Sequence, residues 1–238
     1  MLKKRISEPG TTTLYCFSPP VMIATFIIEI ILAMFVYIKS RKAGSDVGIV
    51  LVLVFLAIFQ LSEYQICGGL DPLLWSRIGL FAITFLPVLG FYLITKLKKD
   101  SHLVRFGFLV AVAFIVFFIF VPETIGGATC GGNYIILNVE PNLYSLYGYY
   151  YYGFLLLGIW EALSGIREDD RRRLSKEALF WFIVGYLSFI LPLTLVYLFI
   201  PVTRVAIASV MCGFAVIFAI ILAFKIAPIY HECVKIDK

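Results

Sequence analysis

The chain has 238 residues, of which 61% are hydrophobic and 15% charged, with a mean hydropathy of +0.97. Soluble domains carry ~45–50% apolar and ~25% charged residues, and 238 residues are too few to bury seven helices that are apolar on every side; a water-soluble bundle is therefore excluded. The net charge of +5 does not point to nucleic acid, because the charges sort by loop instead of gathering on one face.

Seven apolar runs lie near residues 20–38, 47–66, 75–95, 103–121, 145–165, 178–200 and 203–226. Each is close to the ~20 residues a helix needs to cross a bilayer. The expected fold is an all-α membrane protein, with residues 1–238 forming a single seven-helix transmembrane domain. Fifteen of the 20 Lys and Arg fall on one side of that bundle, in the loops around Lys39, Lys96, Arg171 and Lys235. Cytoplasmic loops are enriched in Lys and Arg. The N-terminus is therefore expected outside, the C-terminus in the cytoplasm, and the chain in the cell membrane as a multi-pass protein. The first run is flanked by three basic residues on each side, so the later loops must set the orientation.

Lys3, Lys4 and Arg5 followed by an apolar run and Ala43-Gly44-Ser45 also suggest a cleaved signal peptide. Residues 6–19 separate the basic cluster from the run, however, and Lys39, Arg41 and Lys42 follow it directly, as in a stop-transfer flank. The segment is read as helix one. It carries Glu29 close to the expected bilayer midplane. An ionisable group there is a functional candidate: a neutral packing residue on one reading, part of a proton relay or cation site on another.

Helix two ends at Cys67-Gly68-Gly69, and a short link joins it to an antiparallel helix three. Its polar positions Gln60, Glu63, Tyr64 and Cys67 are spaced i, i+3, i+4, i+7 and share one face. That stripe must point into the bundle, where it would form the wall of an outer-side pocket. Arg77, at the start of helix three, flanks the same turn as Glu63, so the two are expected to pair. Trp75 suits the interfacial belt. Pro87 and Pro192 should kink helices three and six.

The longest connection, 122–142, lies outside and contains Asn133–Val139, a stretch of β character expected to form a short strand or hairpin over the bundle mouth. Cys16, Cys67 and Cys130 are on that oxidising side. A Cys67–Cys130 bridge is the expected pairing, with Cys16 as the competing partner. Helix five opens with Tyr144, Tyr147 and Tyr149–Tyr152. Tyrosines anchor at the headgroup level, but a consecutive run covers all sides of a helix, so some must face inward. Tyr147 joins Gln60, Glu63, Tyr64 and Arg77 as a candidate ligand contact. Glu161 is a second intramembrane charge, toward the inner end of helix five.

Several activities lack their residues. No mid-membrane lysine in helix seven could hold retinal, no Asn-Pro-x-x-Tyr motif is present, and there is no intramembrane protease core or nucleotide-binding glycine pattern. No nucleophile, base or metal constellation is visible, so neither an enzyme nor a metal or other cofactor is expected.

The stretch Leu73-Leu74-Trp75-Ser76-Arg77-Ile78-Gly79, followed by Pro87 and Phe91-Tyr92, resembles the third helix of the seven-helix sensor region at the N-terminus of prokaryotic histidine kinases. The tyrosine-rich start of helix five, Arg171 to Arg173 before helix six, and Pro192 within it are similar in layout. The resemblance implies a sensor that detects an extracellular or membrane-borne ligand and signals through helix seven to a cytoplasmic partner. Only Ala227–Lys238 follow the last span, with no phospho-accepting histidine box or ATP lobe, so either the output partner is a separate protein or the chain is a stand-alone relative with another role. The expected partners are membrane lipid, a small-molecule or lipidic ligand and a cytoplasmic signalling protein, without nucleic acid. The alternatives are a small transporter or ion-translocating subunit, with Glu29 and Glu161 along its path, and a structural subunit of a membrane complex.

Overall fold

The computed structural model describes residues 19–43, 47–98, 102–121, 124–130, 135–168, 173–199 and 207–236. Cys16, the basic cluster Lys3–Arg5, Arg171, Arg172 and Arg204 lie outside the described residues.

The helices are α1 (Pro19–Ala43), α2 (Gly48–Cys67), α3 (Pro72–Lys98), α4 (His102–Phe120), α5 (Pro141–Arg167), α6 (Arg173–Phe199) and α7 (Ile207–Ile221). Beyond α7 the rod continues through a π-helical turn, Leu222–Ile226, into α8 (Ala227–Ile236). Strands β1 (Ile125–Cys130) and β2 (Ile135–Val139) lie between α4 and α5. α1, α2, α3, α4, α6 and the α7–α8 rod are long and apolar enough to cross a membrane. The protein is an all-α, multi-pass membrane protein apart from the β1–β2 hairpin. Residues such as Met34 on α1 and Leu109 on α4 are apolar yet exposed, as a lipid-facing surface requires.

α5 is also 27 residues long, but its tyrosine-rich first half keeps it less apolar than the other six. Its contacts follow it through the bundle. The Tyr150 hydroxyl reaches the Thr84 carbonyl, the Phe154 ring meets Phe91, and Gly158 lies against Ile94. Tyr147 touches Phe118, while Phe154 lies against Gly107 one helical stretch earlier in α4. α5 thus runs parallel to α3 and antiparallel to α4 through the same layer.

Local sequence explains the α2–α3 turn. Gly69 adopts φ +86°, the left-handed conformation that closes a helix C-terminus without a Cβ clash. The Asp71 carboxylate accepts from the Leu73 and Leu74 amides at 2.9 and 3.2 Å, and Pro72 takes the first helical position, where no donor is needed. α3 continues through Pro87, whose missing N–H frees the Ile83 carbonyl. The Tyr150 hydroxyl donates to the adjacent Thr84 carbonyl at 2.6 Å, supplying a donor at the weakened turn.

The expected β segment is a two-stranded antiparallel hairpin. Cys130 pairs with Ile135 and Ile125 with Val139, and an irregularity sits between Ile125 and Ala128. Gly127, at φ +91°, lies there against Pro72 and Leu73 of α3, and only glycine adopts that backbone cheaply. The hairpin is tied to the bundle by a Cys67–Cys130 disulfide with a Cα–Cα distance of 5.2 Å. The Ile135 amide also donates to Ser209 Oγ on α7 at 3.4 Å.

One expectation needs correction. The sequence places a short tail, 227–238, beyond a span ending near Ile226, but the helix runs on to Ile236 and buries Tyr230, His231 and Cys233. The physical cause of the π turn is Pro228. It has no N–H for the Phe224 carbonyl and its ring crowds that carbonyl. The Ala227 amide bonds the Leu222 carbonyl, and the widened turn carries the helix past the proline. At this end His231 Nε2 lies 3.0 Å from Ser40 Oγ of α1, and Ser175 Oγ of α6 lies 3.7 Å from Cys233 Sγ.

α5 is capped by Glu140, whose carboxylate accepts from the Leu143 amide at 2.7 Å and from Asn142. Those bonds, the Leu143 amide first, hold the Glu140 carboxyl below its usual range. A carboxyl lowered in the folded state stabilises above its unfolded pKa and loses that contribution as pH falls through its folded value. The thermal midpoint of the wild type should therefore drop relative to Glu140→Gln on acidification. Parallel pH curves would show that the cap contributes nothing.

Candidate functional site

The hairpin end of the bundle holds a cavity of about 260 Å³. Its walls are apolar: Leu80 and Ile83 from α3, with Ile207, Ala208 and Met211 from α7. Leu137 of β2 forms the roof. α5 contributes Tyr144, Tyr147, Gly148, Tyr151 and Tyr152, and α6 adds Tyr197. The tyrosine run thus divides by helical angle: Tyr147, Tyr150 and Tyr151 are buried, while Tyr149 is 79% exposed.

Tyr147 is held from three sides. Its ring meets Phe114 and Phe118 of α4 edge-on at 5.3 and 5.4 Å, and its hydroxyl lies 3.2 Å from Thr84 Oγ1. Such aromatic pairs each add ~0.5–1.5 kcal/mol beyond area burial. A small void of about 30 Å³ lies deeper, lined by Tyr186, Phe189 and Phe218, and shares Tyr151 and Met211 with the larger cavity.

The sequence-derived candidates separate. Tyr147 lines the cavity, but Gln60, Glu63, Tyr64 and Arg77 do not. Gln60 and Glu63 are buried, and Tyr64 is half-buried. Glu63 and Arg77 form no ion pair. The Glu63 carboxyl interacts with Ser209 of α7, while Arg77 Nε is buried without a hydrogen-bond partner. Helical geometry explains the separation. Gly79 is the α3 residue that faces Phe59 and Ser62 of α2. Arg77, two residues earlier, lies about 200° around α3, and Glu63 is turned ~100° from Ser62.

Glu29 is fully buried on α1. It interacts electrostatically with Glu63 and with Cys212 of α7. Glu161 is half-buried far along α5, toward the basic end, and its backbone carbonyl accepts from Ser164. The cavity residues Ile207, Met211 and Leu137, and Ser209 beside Glu63, were not singled out from sequence. They carry no pattern that distinguishes them from other apolar or small residues in a span. Comparison with protein-family models, with curated proteins and with solved structures finds no match to this chain.

Proposed function

We propose that the chain is a seven-span membrane sensor in which a small apolar ligand occupies the cavity beneath the hairpin and shifts the α7–α8 rod. The cavity itself carries this reading. It falls just under the ~300–1,000 Å³ of drug-sized sites. Its walls are apolar, with tyrosine hydroxyls as the polar groups that would orient a ligand. The course of α5 beside α3 and α4 supports the seventh span. The sorting of basic residues supports an outer hairpin end and a cytoplasmic α8.

The signalling route follows the rod. Ile207, Ala208 and Met211 touch the cavity, and His231 and Cys233 on the same rod touch α1 and α6 at the basic end. Between them sits the π turn, where the backbone ladder is already irregular. Such bulges often mark functional positions in helices. A ligand that fits one rod position better than another moves the equilibrium by its differential affinity alone. The output partner would read α8 where Glu232 is exposed. The layout resemblance to kinase sensor regions agrees with this reading.

Gly148 offers a direct test. It lines the cavity, and a Cβ built there meets nothing within 4 Å. Gly148→Leu should fold normally, gain about 1 kcal/mol from helix propensity, and fill the space. Spin labels on the exposed Glu177 of α6 and Glu232 of α8 report the spacing at the basic end. A panel of short alkylphenols should shift that distance in the wild type. Gly148→Leu should hold one distance whether or not the compounds are present. An unchanged distance throughout the panel, with Gly148→Leu matching the untreated wild type, would remove the sensor reading.

A further inference from the structure

A polar site distinct from the cavity lining lies where α1, α2 and α7 meet. Glu29 and Glu63 are 0% and 1% exposed, and Gln60, one turn before Glu63, is 2% exposed. Both carboxyl oxygens of Glu29, Oε1 of Glu63 and Nε2 of Gln60 are buried with no hydrogen-bond partner. The two carboxyls lie within range of mutual repulsion when charged, and Cys212 of α7 lies within electrostatic reach of both. Among the described residues neither carboxyl forms an ion pair. The Ser209 hydroxyl engages Glu63 and accepts from the Ile135 amide of the hairpin.

Buried polar groups are nearly always satisfied, and buried carboxylates are paired or coordinate a metal. Here three carboxyl oxygens and an amide are orphaned on adjacent helices inside a membrane bundle, and among the described residues no Lys or Arg pairs with them. Oxygen donors suit hard cations, and a half-turn of the Gln60 amide presents its oxygen in place of its nitrogen.

We propose that Glu29, Glu63 and Gln60 form a buried binding site for one hard metal cation, reached from the hairpin end. A divalent ion balances the two carboxylates. Glu63 stands one helical turn from Cys67, so the route in is short. Through Ser209 the site is joined to Ile135, and occupancy there should steady the hairpin. The site shares no lining residue with the cavity and does not rest on the sensor reading.

The test is the thermal midpoint of the full chain in detergent at mildly alkaline pH, titrated with calcium, magnesium or sodium chloride against choline chloride at equal ionic strength. One of the metal salts should raise the midpoint by about 5–10 °C once it is roughly a hundredfold above its Kd. The rise should be absent in Glu29→Gln and in Glu63→Gln and intact in Glu161→Gln. Glu29→Gln replaces a wholly orphaned carboxyl by a neutral isostere, so its midpoint without metal should equal or exceed the wild type's. Should either site variant fail to fold, Gln60→Leu keeps both carboxyls and should weaken the cation about tenfold. No rise with any cation in the wild type would leave Glu29 and Glu63 as protonated packing residues and overturn the proposal. A rise that persists in Glu29→Gln would overturn it equally.

Discussion

Replacing Cys67 and Cys130 together with serine should destabilise the protein by about 2–4 kcal/mol, the largest loss expected from any exposed or half-exposed pair. Closing a loop across their 63-residue separation removes roughly 4 kcal/mol of denatured-state entropy. That is a ceiling, because α3 and α4, the helices inside the loop, keep their helical structure in lipid and leave less freedom to restrict. The effect should concentrate in the hairpin, since the bridge is its covalent tie to α2. Leu137 of β2 roofs the cavity, so the double variant should also lose part of its response to apolar compounds. Thermal midpoints with and without reductant check the claim. The wild type should drop by about 5–10 °C on reduction, and the serine variant should not respond. Equal midpoints in all four samples would show that the hairpin is held without the bridge.

Gly90→Ala should be nearly as damaging, for a different reason. A Cβ at Gly90 collides with the hydroxyl of Tyr186, which is itself pinned from the other side, where Gly158 leaves 2.9 Å between its own would-be Cβ and the ring. Tyr186 is 1% exposed, so the ring has nowhere to move. Overpacking of this kind costs ~1–3 kcal/mol. The Tyr186 hydroxyl has no hydrogen-bond partner, so Tyr186→Phe alone should be neutral or slightly stabilising. Combined with Gly90→Ala it should restore most of the loss, because the phenyl edge, at 3.2 Å, is the next atom the new methyl meets. The coupling in this double-mutant cycle should be ~1–2 kcal/mol. Additive effects would mean that the helices spread instead, or that the hydroxyl serves a partner.

Much of this architecture could be read along the chain. Apolar length marks a span whatever its neighbours do, because lipid demands that each helix satisfy its own backbone. The Gly69-Leu70-Asp71-Pro72 turn, the strand character of Asn133–Val139 and the inward-facing share of the tyrosine run follow from local chemistry for the same reason. So did the burial of Gln60 and Glu63, because a polar stripe on an apolar helix has only one place to go.

Which helix that stripe meets is another matter, and here only the tertiary structure decides. Glu63 and Arg77 stand beside one turn, yet the rotation of α3 set by Gly79 against Phe59 and Ser62 sends them apart. Glu63 turns instead toward Ser209, 146 positions later by number, and toward Glu29 on α1. The cavity is likewise a product of packing. Its walls combine ordinary apolar residues of α3 and α7 with tyrosines of α5 and α6, and a void is a property of the space between side chains, which no single segment encodes. The extension of the last helix through Pro228 depends on a widened turn and on contacts to Ser40 and Ser175 in helices far away in sequence. Periodicity and charge fix what each helix is made for, and the angles at which the helices meet fix which of their side chains become neighbours.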